Sequence, residues 1–203
     1  MQSAYLIPKA TISNEELIKK SRFISIVVNA PNLEMAKRLL QQTKAEHSSA
    51  RHHCWAMIAG HPKDSQCLGF SDDGEPTGTA GKPMLAQLQG SGLGQVMAIV
   101  VRYSGGVKLG TGGLVRAYGQ GVQQALALLE TQPFMPSCRL KLLGSYDDSG
   151  KIEHFLESQH IVVLARNFTQ QLSWDIELAI EQRSKIENQL NHLCSGNIAI
   201  QRL

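Results

Sequence analysis

Residues 161–180, IVVLARNFTQQLSWDIELAI, decide one half of the fold. The first eight open with three β-branched residues, Ile161, Val162 and Val163, which favours an extended chain. Thr169 and Gln170 are expected to make a short turn. Residues 172–180 then alternate, with Leu172, Trp174, Ile176, Leu178 and Ile180 on one side, as in a strand with one buried face. Trp174 is therefore a core residue. Upstream, residues 151–159 space Ile152, Phe155 and Leu156 at helical intervals, with Asp147 or Asp148 at the cap. Residues 139–146, RLKLLGSY, read as the strand before that helix. Downstream, residues 181–194 put Ile186, Leu190 and Leu193 on one helical stripe. Ser195, Gly196 and Asn197 end it, and residues 198–203 supply a last strand. The order β-α-β-β-α-β is the ferredoxin-like plan. Pro133 and Pro136, in TQPFMPS, are expected to punctuate a linker before it.

A chain of 203 residues has room for a second domain in front of that linker. We expect an α+β protein with domains at 1–135 and 137–203. In the first, residues 22–29 (RFISIVVN) read as a strand. Pro31 opens a helix to about His47, burying Leu33, Ala36, Leu39 and Leu40. Residues 52–60 form a strand that residues 66–71 can pair with. A loop, SDDGEPTGTAG, leads to a short helix over 82–89. Residues 95–103 (QVMAIVVRY) are almost continuously apolar, as in a strand buried on both faces. The segment SGGVKLGTGG then leads into a helix over about 114–130.

Composition narrows the function. With 42% hydrophobic and 18% charged residues the chain can bury a core and is not disordered. Its N-terminus lacks a basic region followed by an apolar run, so no secretory signal is expected. No stretch of about 18 apolar residues is present, so no membrane helix is expected. Cys54, Cys67, Cys138 and Cys194 are scattered without a CxxC pair, which fits free thiols in a reducing cytoplasm.

Charge is uneven. Residues 1–136 carry 13 Lys and Arg against 9 Asp and Glu, while residues 137–203 carry 7 against 8. No acid lies between Glu75 and Glu130, an interval that holds Lys82, Arg102, Lys108 and Arg116. Fifteen of the 18 glycines fall between Gly60 and Gly121. Their densest run, Gly105, Gly106, Gly110, Gly112 and Gly113, joins the buried strand to a helix N-terminus opened by Thr111. Exposed N–H groups and the positive end of a helix dipole favour an anion there. Lys108 and Arg116 add charge, and Arg116, Gln120 and Gln123 share a helical face. Tyr103, at the strand's end, is the best candidate to stack on a base. A tight, close-packed strand-to-helix connection would also use these glycines, and both readings stay open.

Other chemistry has less support. Pro76 and Pro83 break a Walker register around Lys82, and GSGLGQ at 90–95 fails the dinucleotide pattern. Asp72, Asp73 and Glu75 form an acidic loop without metal-binding spacing, and helix-capping carboxylates are the expected role. His52 and His53 point to opposite faces of a strand, so no metal site is expected. No catalytic constellation, no cofactor and no metal follow from the residues.

Two blocks carry a resemblance. SDDGEPTGTAGKPML at 71–85, followed by VVRYSGGVKLGTGGLVRAYG at 100–119, resembles the signature of the IMPACT family, and the likeness extends over nearly the whole chain. It implies a first domain like the ribosomal-protein domain-2-like fold used in elongation factor G, and a second like that factor's last domain. Eukaryotic family members regulate translation by interfering with activation of a kinase that responds to uncharged tRNA; those relatives carry a different N-terminal module that is not expected here, so the kinase-pathway role is not carried over. For this chain the resemblance implies a link to RNA or the ribosome and brings no catalytic residues. The family block carries an aromatic where Ser104 stands. The resulting expectation is a nucleic-acid- or ribosome-binding protein that modulates translation, with Lys82, Arg102, Tyr103, Lys108, Arg116 and the loop glycines at the contact. The alternatives are an enzyme or binding protein for a phosphorylated small molecule or nucleotide, using Asp72, Asp73 or Glu75, and an adaptor that binds a protein through the C-terminal sheet edge.

Overall fold

A computed structural model describes residues 4–168 and 172–203; Thr169 and Gln170, and with them the expected turn, lie outside the described residues. Tyr5–Phe134 form one compact unit and Met135–Leu203 belong to another. The elements of the first are β1 (Tyr5–Pro8), β2 (Ile12–Ile18), β3 (Ser21–Asn29), α1 (Leu33–Glu46), β4 (His52–Ile58), β5 (Leu68–Ser71), α2 (Gly81–Ser91), β6 (Val96–Tyr103), α3 (Thr111–Ala127) and β7 (Thr131–Phe134). Five strands make one sheet in the order β2-β3-β6-β4-β5, with every neighbour antiparallel. β1 and β7 form a separate two-stranded ribbon.

The central strand β6 explains its own sequence. Val96, Ala98 and Val100 join one core with Met84 and Leu88 of α2 and Leu114, Tyr118 and Val122 of α3. Met97, Ile99 and Val101 join a second core with Ala36 of α1. A strand's side chains alternate between faces, so helices on both sides demand apolar residues at every position. The same parity sends Arg102 to the face of α2 and α3, and Tyr103 to the face of α1.

Local chemistry fixes the helix ends. The Asn32 side chain accepts a bond from the Met35 amide at 2.9 Å and caps α1. Gly92, in the left-handed region at φ 70°, closes α2. Helix α3 rides close on β3, because Gly121 faces the hydroxyl of Ser25 with no room for a β-carbon between them.

In the second unit, β8 (Ser137–Gly144), α4 (Ser149–Ser158), β9 (Val162–Phe168), β10 (Leu172–Ala179), α5 (Arg183–Leu193) and β11 (Ala199–Arg202) follow in sequence. The sheet order is β11-β8-β10-β9, all antiparallel. This is the ferredoxin-like βαββαβ arrangement. Trp174 is buried with Leu140, Leu142, Ile152, Ile176 and Leu190. The whole chain is α+β, with a ribosomal-protein domain-2-like first unit and a ferredoxin-like second.

Three expectations change. Leu33 is 61% exposed, because the buried stripe of α1 begins only at Ala36. Pro133 lies inside β7, opposite Leu6 of β1, rather than in a linker. A two-stranded ribbon has no further ladder on its outer side, so proline's missing N–H is tolerated there. Asp148 stands at the cap position of α4 without a capping bond, and its carboxylate binds Ser145 and Lys151 instead. Strands β1 and β2 carry no signal comparable to β3. The polar alternation of β2, ISNEELI, belongs to an edge strand with one half-covered face.

Candidate functional site

The two signature blocks meet in the interior. Loop 72–80 crosses the end of β4 and β6, and its acids turn inward. Glu75 is buried, and its Oε1 accepts bonds from Arg102 Nη1 at 2.7 Å and from the Tyr118 hydroxyl at 2.8 Å. Arg102 Nη2 also donates to Ser21 Oγ at 3.4 Å. The guanidinium lies 5.5 Å from the Phe23 ring, which meets Tyr118 edge-on. Glu75 thus ties the first block to β6 and α3 of the second. Burial raises the Tyr118 hydroxyl well above its ordinary value, with Cys54 and Glu75 adding to the effect. Burial also pushes the Cys54 thiol up to about 12, so it is inert as a nucleophile at neutral pH.

Asp72 acts on backbone. Its carboxylate accepts from the amides of Gly78 at 2.8 Å, Ala80 at 3.0 Å and Gly81 at 2.8 Å, which caps the N-terminus of α2. Burial would raise this carboxyl, but the three amides outweigh it and hold it below its ordinary value. Asp73, at φ 42°, accepts from the His53 amide at 2.7 Å and from Lys44 at 3.2 Å. Burial lowers the His53 imidazole below its ordinary value. No group of three or more potential ligands gathers for a metal among the described residues.

The outer surface of the second block is different. α3 begins at Thr111 after Gly110, with no capping side chain and no acid in its first turn. The amides of Thr111, Gly112 and Gly113 therefore lack intrahelical acceptors. Around Gly106, Gly110 and Gly112 no heavy atom beyond the adjoining residues lies within 4 Å of where a β-carbon would stand, so the backbone is open to solvent at these three positions. Lys19 and Arg116 line one groove with Leu109, Gly113 and Gln120. Lys20 presses its carbonyl against Gly105, where any side chain would overlap it. Lys108 lies in the exposed loop itself. Lys19, Lys20, Lys108 and Arg116 are exposed and have no ion-pair partner among the described residues.

The profile of the Impact N-terminal domain matches residues 19–126, and that of a domain of unknown function (DUF1949) matches residues 145–197. The chain belongs to the IMPACT family. It is 46% identical over 199 residues to an IMPACT family member of Haemophilus influenzae, covering 98% of this chain and 97% of that one. It is 56% identical over 153 residues to IMPACT family member YigZ of Escherichia coli, covering 75% of each. IMPACT family member YvyE of Bacillus subtilis is 30% identical over 196 residues, covering 97% of this chain and 89% of that one. A crystal structure of a hypothetical protein, 43% identical, superposes with a TM-score of 0.77 over all of this chain and 98% of that one.

The IMPACT signature therefore divides by depth. Arg102, Glu75 and Asp72 hold the domain together, whereas Gly106, Lys108, Gly110, Thr111, Gly112 and Arg116 face outward. Arg102 does not reach the outer surface, because its strand parity points it at Glu75. Lys82 is exposed on the first turn of α2 and lines neither that groove nor the cleft beside Tyr103. Tyr103 is half-buried, with its hydroxyl 2.9 Å from His47 Nδ1 and Arg22 5.3 Å over its ring. Sequence reasoning missed Lys19 and Lys20. Their signal was a lysine doublet just ahead of a strand: Ile18 pairs with Ser21, so the doublet forms a two-residue hairpin tip, with φ 45° and 65°. Such tips normally use Asn or Gly. Two lysines held there against preference are a pointer to function.

Proposed function

We propose that this IMPACT-family chain binds the phosphate backbone of RNA through the bare face of its first domain, acts at the ribosome, and modulates translation in the cytoplasm. One observation carries the reading. Lys19, Lys20, Lys108 and Arg116 gather about a glycine-rich loop and an uncapped helix N-terminus, and among the described residues no acid pairs with them. Such a face attracts a polyanion over distance and offers short N–H contacts on arrival. The alternative enzymatic use of Asp72, Asp73 and Glu75 finds these carboxylates occupied by backbone amides, Lys44, Arg102 and Tyr118. The four free cysteines are in keeping with a reducing compartment, and no described helix is long and apolar enough to cross a membrane. In the C-terminal unit, β9 ends the sheet and exposes Val162, Leu164 and Phe168, where a protein partner would add a strand.

The test is cosedimentation with ribosomes and anisotropy of labelled RNA across a salt series, for the native chain and a Lys19→Ala, Lys108→Ala, Arg116→Ala variant. Binding should weaken steeply with salt. Each lost phosphate contact should flatten the log–log slope by about 0.7 to 0.9. Absence of any binding by the native chain at low salt would sink the reading.

A further inference from the structure

Beside the bare loop lies a cleft of about 280 Å³, lined by Ser49, Arg51, Tyr103, Ser104 and Gly106. It is just below the roughly 300 Å³ at which pockets for larger ligands begin. Arg51 is exposed and has no ion-pair partner among the described residues. Tyr103 is held on more than one side. His47, at the end of α1, holds its hydroxyl at 2.9 Å, the His47 ring meets it edge-on, and Arg22 lies over the ring at 5.3 Å. Arg22 is itself fixed by a two-pronged bond to Glu15, at 2.6 and 2.8 Å. A flat aromatic side chain held by His47 and Arg22 therefore borders a small cleft that it shares with Arg51 and the two serines. Gly106, at φ 77°, brings the bare loop to the same opening.

Resting on the RNA reading above, we propose that this cleft takes one unpaired nucleotide, and that the chain prefers single-stranded to double-stranded RNA. The base stacks on Tyr103. Arg51 holds the adjoining phosphate, and the Ser49 and Ser104 hydroxyls hydrogen-bond the base edge. Aromatic stacking tolerates any base, whereas in a duplex the bases are stacked on one another and out of reach. Ser104 has a part in this, since its small side chain leaves the cleft open where a larger residue would project.

The experiment compares a labelled single-stranded RNA with a hairpin duplex of equal length at fixed salt. It uses the full chain, Tyr103→Phe, Tyr103→Leu and Arg51→Ala, with each fold checked by circular dichroism. The native chain should favour the single strand. Tyr103→Leu should lose about 5- to 150-fold on the single strand and little on the duplex, and Tyr103→Phe should keep most of the preference. Arg51→Ala, an exposed position outside the helices and strands, should weaken single-strand binding without touching stability. The proposal falls if the native chain binds both RNAs equally or favours the duplex. It also falls if Tyr103→Leu and Arg51→Ala both bind the single strand like the native chain. Any of these results leaves phosphate-backbone binding standing, whereas loss of both RNAs by the native chain removes the two readings together.

Discussion

Arg102 and Arg116 stand in the same signature block, yet one is buried against Glu75 and the other faces solvent without an ion-pair partner among the described residues. The difference is one of support. Around Arg102, every neighbour converges: Glu75, Ser21, the Phe23 ring and, through Glu75, Tyr118. Around Arg116 the groove is lined by Lys19, Leu109, Gly113 and Gln120, and none is acidic. A buried charge is tolerated only when paired and hydrogen-bonded, while an exposed charge can remain bare. Identical residue types thus serve cohesion on one side of the segment and stay unpaired, among the described residues, on the other.

The largest expected effect lies on the inside. Glu75→Ala strands a buried guanidinium and should cost about 3–5 kcal/mol in urea unfolding. A double replacement, Glu75→Leu with Arg102→Met, should recover most of that loss, because burying two apolar groups avoids the desolvation. If the single variant is as stable as the native chain, the inner network is not a structural tie.

Next comes the approach of α3 to β3. Gly121→Ala forces a methyl onto the Ser25 hydroxyl and should cost about 1–3 kcal/mol. Adding Ser25→Ala should restore stability, since that buried hydroxyl has no hydrogen-bond partner among the described residues. Thermal melts of the two singles and the double decide this.

A smaller effect attaches to Asp72. Removing its cap on α2 with Asp72→Ala should cost about 1–2 kcal/mol at neutral pH. Its carboxyl is held below the ordinary 3.8, so its contribution is complete above that value and is lost as pH falls through the lower folded value. Asp72→Asn should accordingly flatten the acid limb of a stability–pH curve below about pH 4. An unchanged acid limb would mean the amides do not stabilise the charged form.

The smallest effect on stability is expected outside. Lys19→Ala, Lys108→Ala and Arg116→Ala should each change stability by no more than about 0.5 kcal/mol. A larger loss would show that these cations hold the fold rather than wait for a ligand.

Periodicity made much of the C-terminal unit legible, because its central strands β8 and β10 bury alternate residues and each helix buries one stripe. It also exposed β6, whose unbroken apolar run has no other use. It failed where burial is slight: β1, β2 and β7 are short or peripheral, and their side chains report little about their partners. For the candidate site, the glycine run and the acid-free interval pointed to the segment that forms the bare outer face. They did not separate Arg102 from Arg116, although the parity of β6 already placed Arg102 on the face of Val96, Ala98 and Val100.

By itself, then, the sequence determined the two-unit α+β plan, the buried central strand and the segment richest in glycine and cations, since these depend on local spacing. Only the tertiary structure decided that Glu75 would meet Arg102 and Tyr118, and that the Lys19–Lys20 tip would arrive beside Gly105. Those pairings join residues far apart in the chain, and no local pattern encodes which distant partner a buried charge will find.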